Sequence, residues 1–197
     1  MTENEWDKLL KIKTAGFDNS NSDTIRYPYE PTSYDVLERL ANEGYIGKGN
    51  TLLDYGCGKG RVSLFLSYQT KCNSIGIDFN ERLYECAVKN QQEGLVGKRV
   101  KFLCEDATSY NVPPEVDRIF FFNPFSLEIL KPVLQRIYDS YYDSPRRILL
   151  MFYFPSADYI SCLMQEDELS FYDTIDCKDL FKGSEEREQI IIFTIGE

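Results

Sequence analysis

The chain contains no histidine. That excludes a Ser-His-Asp or Cys-His nucleophile system and any His-ligated metal. No CxxC pair occurs among Cys57, Cys72, Cys86, Cys104, Cys162 and Cys177, so neither a zinc knuckle nor a thioredoxin-like redox motif is supported, and no metal site is expected. The opening MTENEWDKLL lacks the basic and apolar regions of a signal peptide. Nor does any apolar run approach the roughly 20 residues that span a bilayer; the longest, Ile148 to Phe154, is strand-length. These absences point to a cytoplasmic protein with reduced thiols and no membrane partner. Positive charge is scarce: 22 Lys+Arg stand against 32 Asp+Glu, a formal charge of −10. Nucleic acid is thereby disfavoured as a partner, because phosphate neutralisation needs clustered Lys and Arg.

What is present is an ordinary globular composition, 43% hydrophobic and 27% charged over 197 residues, enough for one domain with a full core. Residues 1–31 read as an appended helix and loop that can act as a lid, and residues 32–197 as the domain proper. Trp6, Leu9, Leu10 and Lys13 fall at helical spacing, Phe17 to Thr24 is polar and turn-rich, and Tyr27-Pro28-Tyr29-Glu30-Pro31 is held extended by its prolines. Thr32 and Asp35 have capping-box spacing before an apolar helical face at Val36, Leu37, Leu40 and Ala41. Strands are then expected at 51–55, 74–79, 100–104, 118–122 and 147–154, with helices at 61–68, 81–93, 127–142 and 156–165. Arg146 and Arg147 read as a solvated strand start. Such alternation predicts an α/β, Rossmann-like doubly wound sheet. Two closing strands, 170–176 and 189–195, have no helical crossover between them and predict an antiparallel addition to the same single domain.

The sharpest motif is Leu52-Leu53-Asp54-Tyr55-Gly56-Cys57-Gly58-Lys59-Gly60-Arg61. An apolar strand ends in an acid, glycine follows at three alternate positions, and a helix begins. In a doubly wound sheet a ligand sits at such a strand end, and glycines let backbone N–H groups approach it. The spacing is GxGxG, and no P-loop pattern occurs. Asp78 ends the next strand, 18 residues after Gly60, where its carboxylate can accept from both ribose hydroxyls of a nucleoside over the glycine loop; the alternative is a helix cap. Asp106 ends the third strand and can accept from an exocyclic adenine amine while the Ala107 N–H donates to the ring, or it is a solvated turn acid. Asn123-Pro124-Phe125 follows the apolar run 119–122: the amide oxygen can hold an amine N–H and the ring can pack on a planar or cationic substrate. Its alternative is an Asx-turn capping the following helix.

Taken in order, Asp54 through Arg61, Gly76–Phe79, Glu105–Ala107 and Asn123–Phe125 resemble the motifs of class I S-adenosylmethionine-dependent methyltransferases over roughly residues 32–154. The GxGKGR and NPF forms are similar to those of small bacterial members. The resemblance implies a seven-stranded sheet with its last strand antiparallel and S-adenosyl-L-methionine as cofactor. The glycine loop, with Tyr55, Cys57 and Arg61, would cradle the methionine part. Asp54 would lie near its amino group, Asp78 and Phe79 at the ribose, and Asp106 and Ala107 at the adenine. Asn123-Pro124-Phe125 is similar to the N-P-P-[YF] motif of amino-group methyltransferases but has one proline.

The expected activity is methyl transfer to a nitrogen of a protein side chain or small amine. With no histidine, the proton must go to a carboxylate, a Tyr, a backbone carbonyl or water. Glu30 is the candidate base, and Tyr27 and Tyr29 are candidates to present ring faces to the sulfonium. Three rivals are a non-catalytic S-adenosylmethionine-binding protein, an RNA methyltransferase and an NAD-dependent oxidoreductase. Retention of Asn-Pro-Phe disfavours the first, the net charge the second, and the GxGxG spacing with no Tyr-x-x-x-Lys pair the third.

Overall fold

The computed structural model describes residues 1–18, 29–183 and 185–196. One seven-stranded sheet organises the chain: β1 Thr51–Tyr55, β2 Asn73–Asp78, β3 Val100–Cys104, β4 Arg118–Phe122, β5 Ile148–Tyr153, β6 Ser170–Asp176 and β7 Gln189–Ile195, in the order β3-β2-β1-β4-β5-β7-β6. β1 to β5 are parallel, and β7 runs antiparallel to both β5 and β6. The near-continuous apolar runs of β1, β4 and β5 follow from this position, since parallel central strands are covered on both faces. Successive strands are added to one side of β1 as far as β3 and to its other side from β4 onward, so the crevice at the carboxyl ends of β1 and β4 is the topological switch point where ligands bind in open α/β sheets.

Period-two alternation divides the core into two layers. Leu52, Phe120, Met151 and Ile192 face α1 (Glu3–Leu10), α2 (Tyr34–Asn42) and α3 (Arg61–Thr70). α4 (Glu81–Glu93) lies beside β3 on this layer through Ala87. Leu53, Phe121, Phe152 and Phe193 face α5 (Leu127–Asp143) and α6 (Ala157–Leu163). Across this second face Tyr55, Phe121 and Phe152 form a stacked ladder with centroid separations of 5.1 and 4.5 Å. The β3–β4 crossover, residues 105–117, contains no helix. Tyr110, Val112 and Val116 cover the sheet there with side chains alone.

Several expectations shift. Residues 1–18 are built into the domain rather than appended to it: Trp6, Leu10 and Ile12 are buried, and the Trp6 ring meets Phe65 edge-on at 4.9 Å. The N-cap of α2 is Ser33, whose hydroxyl accepts from the Asp35 N–H, while Thr32 is buried. Arg146 is no solvated charge: it donates to the carbonyls of Val116, Ser140 and Ser144, tying the end of α5 to the crossover loop. Tyr27 and most of the polar loop before it lie outside the described residues. Among the described residues, no helix is long and apolar enough to cross a membrane.

Candidate active site

A cavity of about 1020 Å³, including its open mouth, lies at the carboxyl ends of β1, β2 and β4. β1 delivers Asp54 and Tyr55 to it, and Gly56 turns the chain through φ 72°. A side chain at Gly56 would place Cβ 2.7 Å from Cβ of Pro124. The first glycine is therefore demanded by the Asn-Pro-Phe loop pressing on it, which explains why the two motifs occur together. Gly58, at φ 54°, is demanded by Tyr29, whose ring atoms lie 2.2 Å from where a Cβ would stand.

Asp78 closes the loop from below. One carboxylate oxygen accepts the Gly58 N–H at 2.8 Å and the other the Asn80 N–H at 2.9 Å. Burial raises its pKa, opposed by those two bonds from Asn80 and Gly58. The α4 cap is supplied instead by Asn80, whose side chain accepts from the N–H groups of Arg82 and Leu83. Each oxygen of Asp78 retains acceptor capacity toward the cavity.

Asp54 is 2% exposed, and its carboxylate accepts from the Ser63 hydroxyl at 3.1 Å. Desolvation pushes its pKa up to about 7, with the Ser63 bond opposing and the charge of Asp78 adding to the rise. A buried acid with one hydroxyl partner has unused capacity for a cation. Cys57 also lines the cavity, but burial pushes its thiol well up, which makes it inert as a nucleophile.

On the far side Phe79, Asp106 and Ala107 line the cavity, joined by Leu83 and Ile129. Asp106 folds its carboxylate onto its own turn, accepting from the Thr108 N–H and hydroxyl at 2.9 and 2.6 Å. Pro124, Phe125, the half-buried Tyr29 and the exposed Glu30 complete the lining. Asn123, Gly58 and Gly60 do not themselves line the cavity, but each adjoins residues that do: Phe122 and Pro124, Cys57, and Arg61. Asn123 holds φ 40°, and α5 begins at its own N-cap, Ser126, so the Asx-cap alternative is not what the fold uses. Arg61 reaches the lining, but its guanidinium is engaged by the N-terminal segment.

Residues 52–143 match the family model described as a methyltransferase domain. No protein of curated function matches the sequence significantly. Solved structures with the same fold include an RNA methyltransferase from Salinibacter ruber in complex with S-adenosyl-L-homocysteine (18% identity, TM-score 0.59, covering 85% of this chain and 95% of that one). A TehB-like S-adenosylmethionine-dependent methyltransferase from Corynebacterium glutamicum is similar (18%, TM-score 0.58, 82% and 88%). So is the magnesium protoporphyrin IX methyltransferase of Synechocystis with bound S-adenosylmethionine (18%, TM-score 0.57, 83% and 77%). The chain thus carries a match to a methyltransferase domain over residues 52–143 and shares the fold of these structures.

The cavity can be compared with the cofactor bound in two of those structures. S-adenosylmethionine carries a sulfonium and an ammonium, and the cavity is lined by two buried acids, Asp54 and Asp78, of the sign that pairs with positive charge. Sequence reasoning missed three groups. Ser63, one turn into α3, is the partner of Asp54 and carries no motif of its own. Thr32 lines the cavity, and its carbonyl accepts from Arg61 at 3.0 Å. Tyr159 of α6, buried, donates to the Phe125 carbonyl and so fixes the Asn-Pro-Phe loop from 34 residues away.

Proposed function

We propose that the protein is an S-adenosylmethionine-dependent methyltransferase that acts on an amine nitrogen, of a protein side chain or a small molecule. The charge of the cavity carries this reading. Asp18, Glu30, Asp54, Asp78, Glu105 and Asp106 line it, and among its described lining residues Arg61 is the one cation, already bound by the chain itself. A cavity of that sign concentrates cationic acceptors and disfavours polyanionic ones such as a phosphate backbone. Bound S-adenosylmethionine supplies a methyl group already activated on its sulfonium. The chain's work is then to desolvate a neutral nitrogen, align its lone pair and receive a proton.

Asp78 holds the ribose hydroxyls and Asp54 the methionine ammonium. Phe79 and Ala107 border the adenine. Pro124 and Phe125 wall the acceptor side, and the Asn123 amide oxygen holds an acceptor N–H. An acceptor that enters as an ammonium ion would give its proton to Glu30, which is exposed, and its freed lone pair would form the N–C bond as the methyl–sulfur bond breaks, with S-adenosylhomocysteine as the leaving group. A purified sample incubated with methyl-labelled S-adenosylmethionine should transfer label to a lysine-rich protein or a polyamine. Label appearing in a structured RNA and in neither amine would overturn the reading. Asp78→Ala should weaken S-adenosylhomocysteine binding at least tenfold by calorimetry, since a buried acceptor of two hydroxyls is lost.

A further inference from the structure

Arg61 follows the third glycine and is 2% exposed. Its guanidinium does not end in the cavity. Nε donates to the Thr14 hydroxyl at 2.7 Å, and one terminal nitrogen donates to the Thr32 carbonyl at 3.0 Å and pairs with Glu3. Asp7 lies 3.9 Å from the other terminal nitrogen, and the Tyr34 ring sits 4.2 Å from the guanidinium carbon. These partners are themselves cross-linked. Thr14 donates to Asp7 at 2.7 Å, and the Tyr34 hydroxyl donates to the same carboxylate at 2.5 Å.

The neighbouring loop residues are held by the same segment. Lys59 Nζ donates to the Ala15 carbonyl at 2.8 Å, and Tyr29, against Gly58, donates to the Thr14 carbonyl at 2.6 Å. Asn90 of α4 bridges the two stretches, donating to Lys59 at 2.9 Å and to Lys13 at 3.2 Å. No residue of α1 lines the cavity.

We infer that Arg61 is a positioning residue, through which the N-terminal segment holds the glycine loop in its cofactor-binding shape. Docking of α1 and binding of the cofactor are then coupled, although the two do not touch. The coupling is reciprocal, so each must stabilise the other by the same factor. A guanidinium with a planar fork suits this role because it can bind several acceptors in fixed directions while stacking on a ring.

Thr14→Val keeps the shape of a fully buried side chain and removes the hydroxyl that joins Arg61 to Asp7. It should weaken S-adenosylhomocysteine binding about tenfold by calorimetry, the scale of one lost hydrogen bond to a charged group. Thr14→Ser, which restores the hydroxyl, should recover most of the affinity. Val133→Ala, in α5 on the other sheet face, should lower the melting temperature and leave the affinity unchanged. Hydrogen exchange in residues 3–10 should slow when S-adenosylhomocysteine is added to the wild type. Should Thr14→Val fail to fold, Glu3→Gln removes a carboxylate from Arg61 at the exposed start of α1 and should weaken binding in the same sense. Wild-type affinity in whichever of these two variants is used, equal weakening by Val133→Ala, or exchange in α1 indifferent to the ligand would each overturn the inference.

Discussion

Asp54→Asn is expected to stabilise the unliganded protein while nearly abolishing S-adenosylhomocysteine binding. The unfolded chain holds this acid at about 3.9, and the folded chain holds it at about 7. The folded state therefore binds the extra proton between those values, so stability falls as pH rises from about 4 to about 7 and stays low above it. Asparagine removes that penalty and still meets the Ser63 hydroxyl. Each kcal/mol relieved raises Tm by roughly 2–4 °C in a domain of this size. A gain of about 5 °C at pH 8, shrinking toward pH 4, is the expected scan. Binding should move the opposite way. The ammonium of the ligand needs the ionised carboxylate, so wild-type affinity for S-adenosylhomocysteine should rise as pH increases through about 7. The variant should lose that dependence and bind roughly 30-fold or more weakly, the usual consequence of deleting one member of a desolvated charge pair. A variant that is both less stable and equally tight would show that Asp54 is a structural acid.

That opposition between stability and binding is invisible in the sequence, although its ingredients are not. The strand, three glycines, helix and next strand-end acid all lie between Thr51 and Asp78. Each is dictated by local geometry, so the order of motifs could be read directly. The buried parallel strands were legible for the same reason, because β1, β4 and β5 must be apolar on both faces. What could not be read are the long-range closures. Arg61 belongs to the most recognisable motif in the chain, yet its partners Glu3, Thr14 and Thr32 come from residues separated from it by 58, 47 and 29 positions. The N-terminal helix looked detachable because Trp6, Leu9 and Leu10 are its few apolar residues among charged ones. Its membership of the core becomes clear once Phe65 and Tyr34 are seen around Trp6. Arg146 misled by type: an arginine beside another arginine suggests solvent, but a guanidinium is also the group best suited to gather several loop carbonyls.

Asn123 offers the clearest separation of catalysis from binding. Its backbone stands at φ 40°, a conformation that asparagine tolerates and most residues avoid at a cost of roughly 1–2 kcal/mol. Asn123→Ala alone would thus confound a lost amide with a strained turn. Asn123→Gly resolves the two, since glycine accepts the left-handed conformation and lacks the amide. If the amide oxygen holds the acceptor nitrogen in line, both variants should lower turnover on the amine acceptor about 100-fold, the scale of an ångström of misplacement. Both should bind S-adenosylhomocysteine within a few-fold of the wild type, because the amide acts only after the cofactor is seated. Melting temperature should fall in Asn123→Ala and hold in Asn123→Gly. Wild-type turnover in Asn123→Gly would reduce the residue to a turn-former, and the nitrogen would then have to be aligned by the Phe125 wall and the loop carbonyls alone.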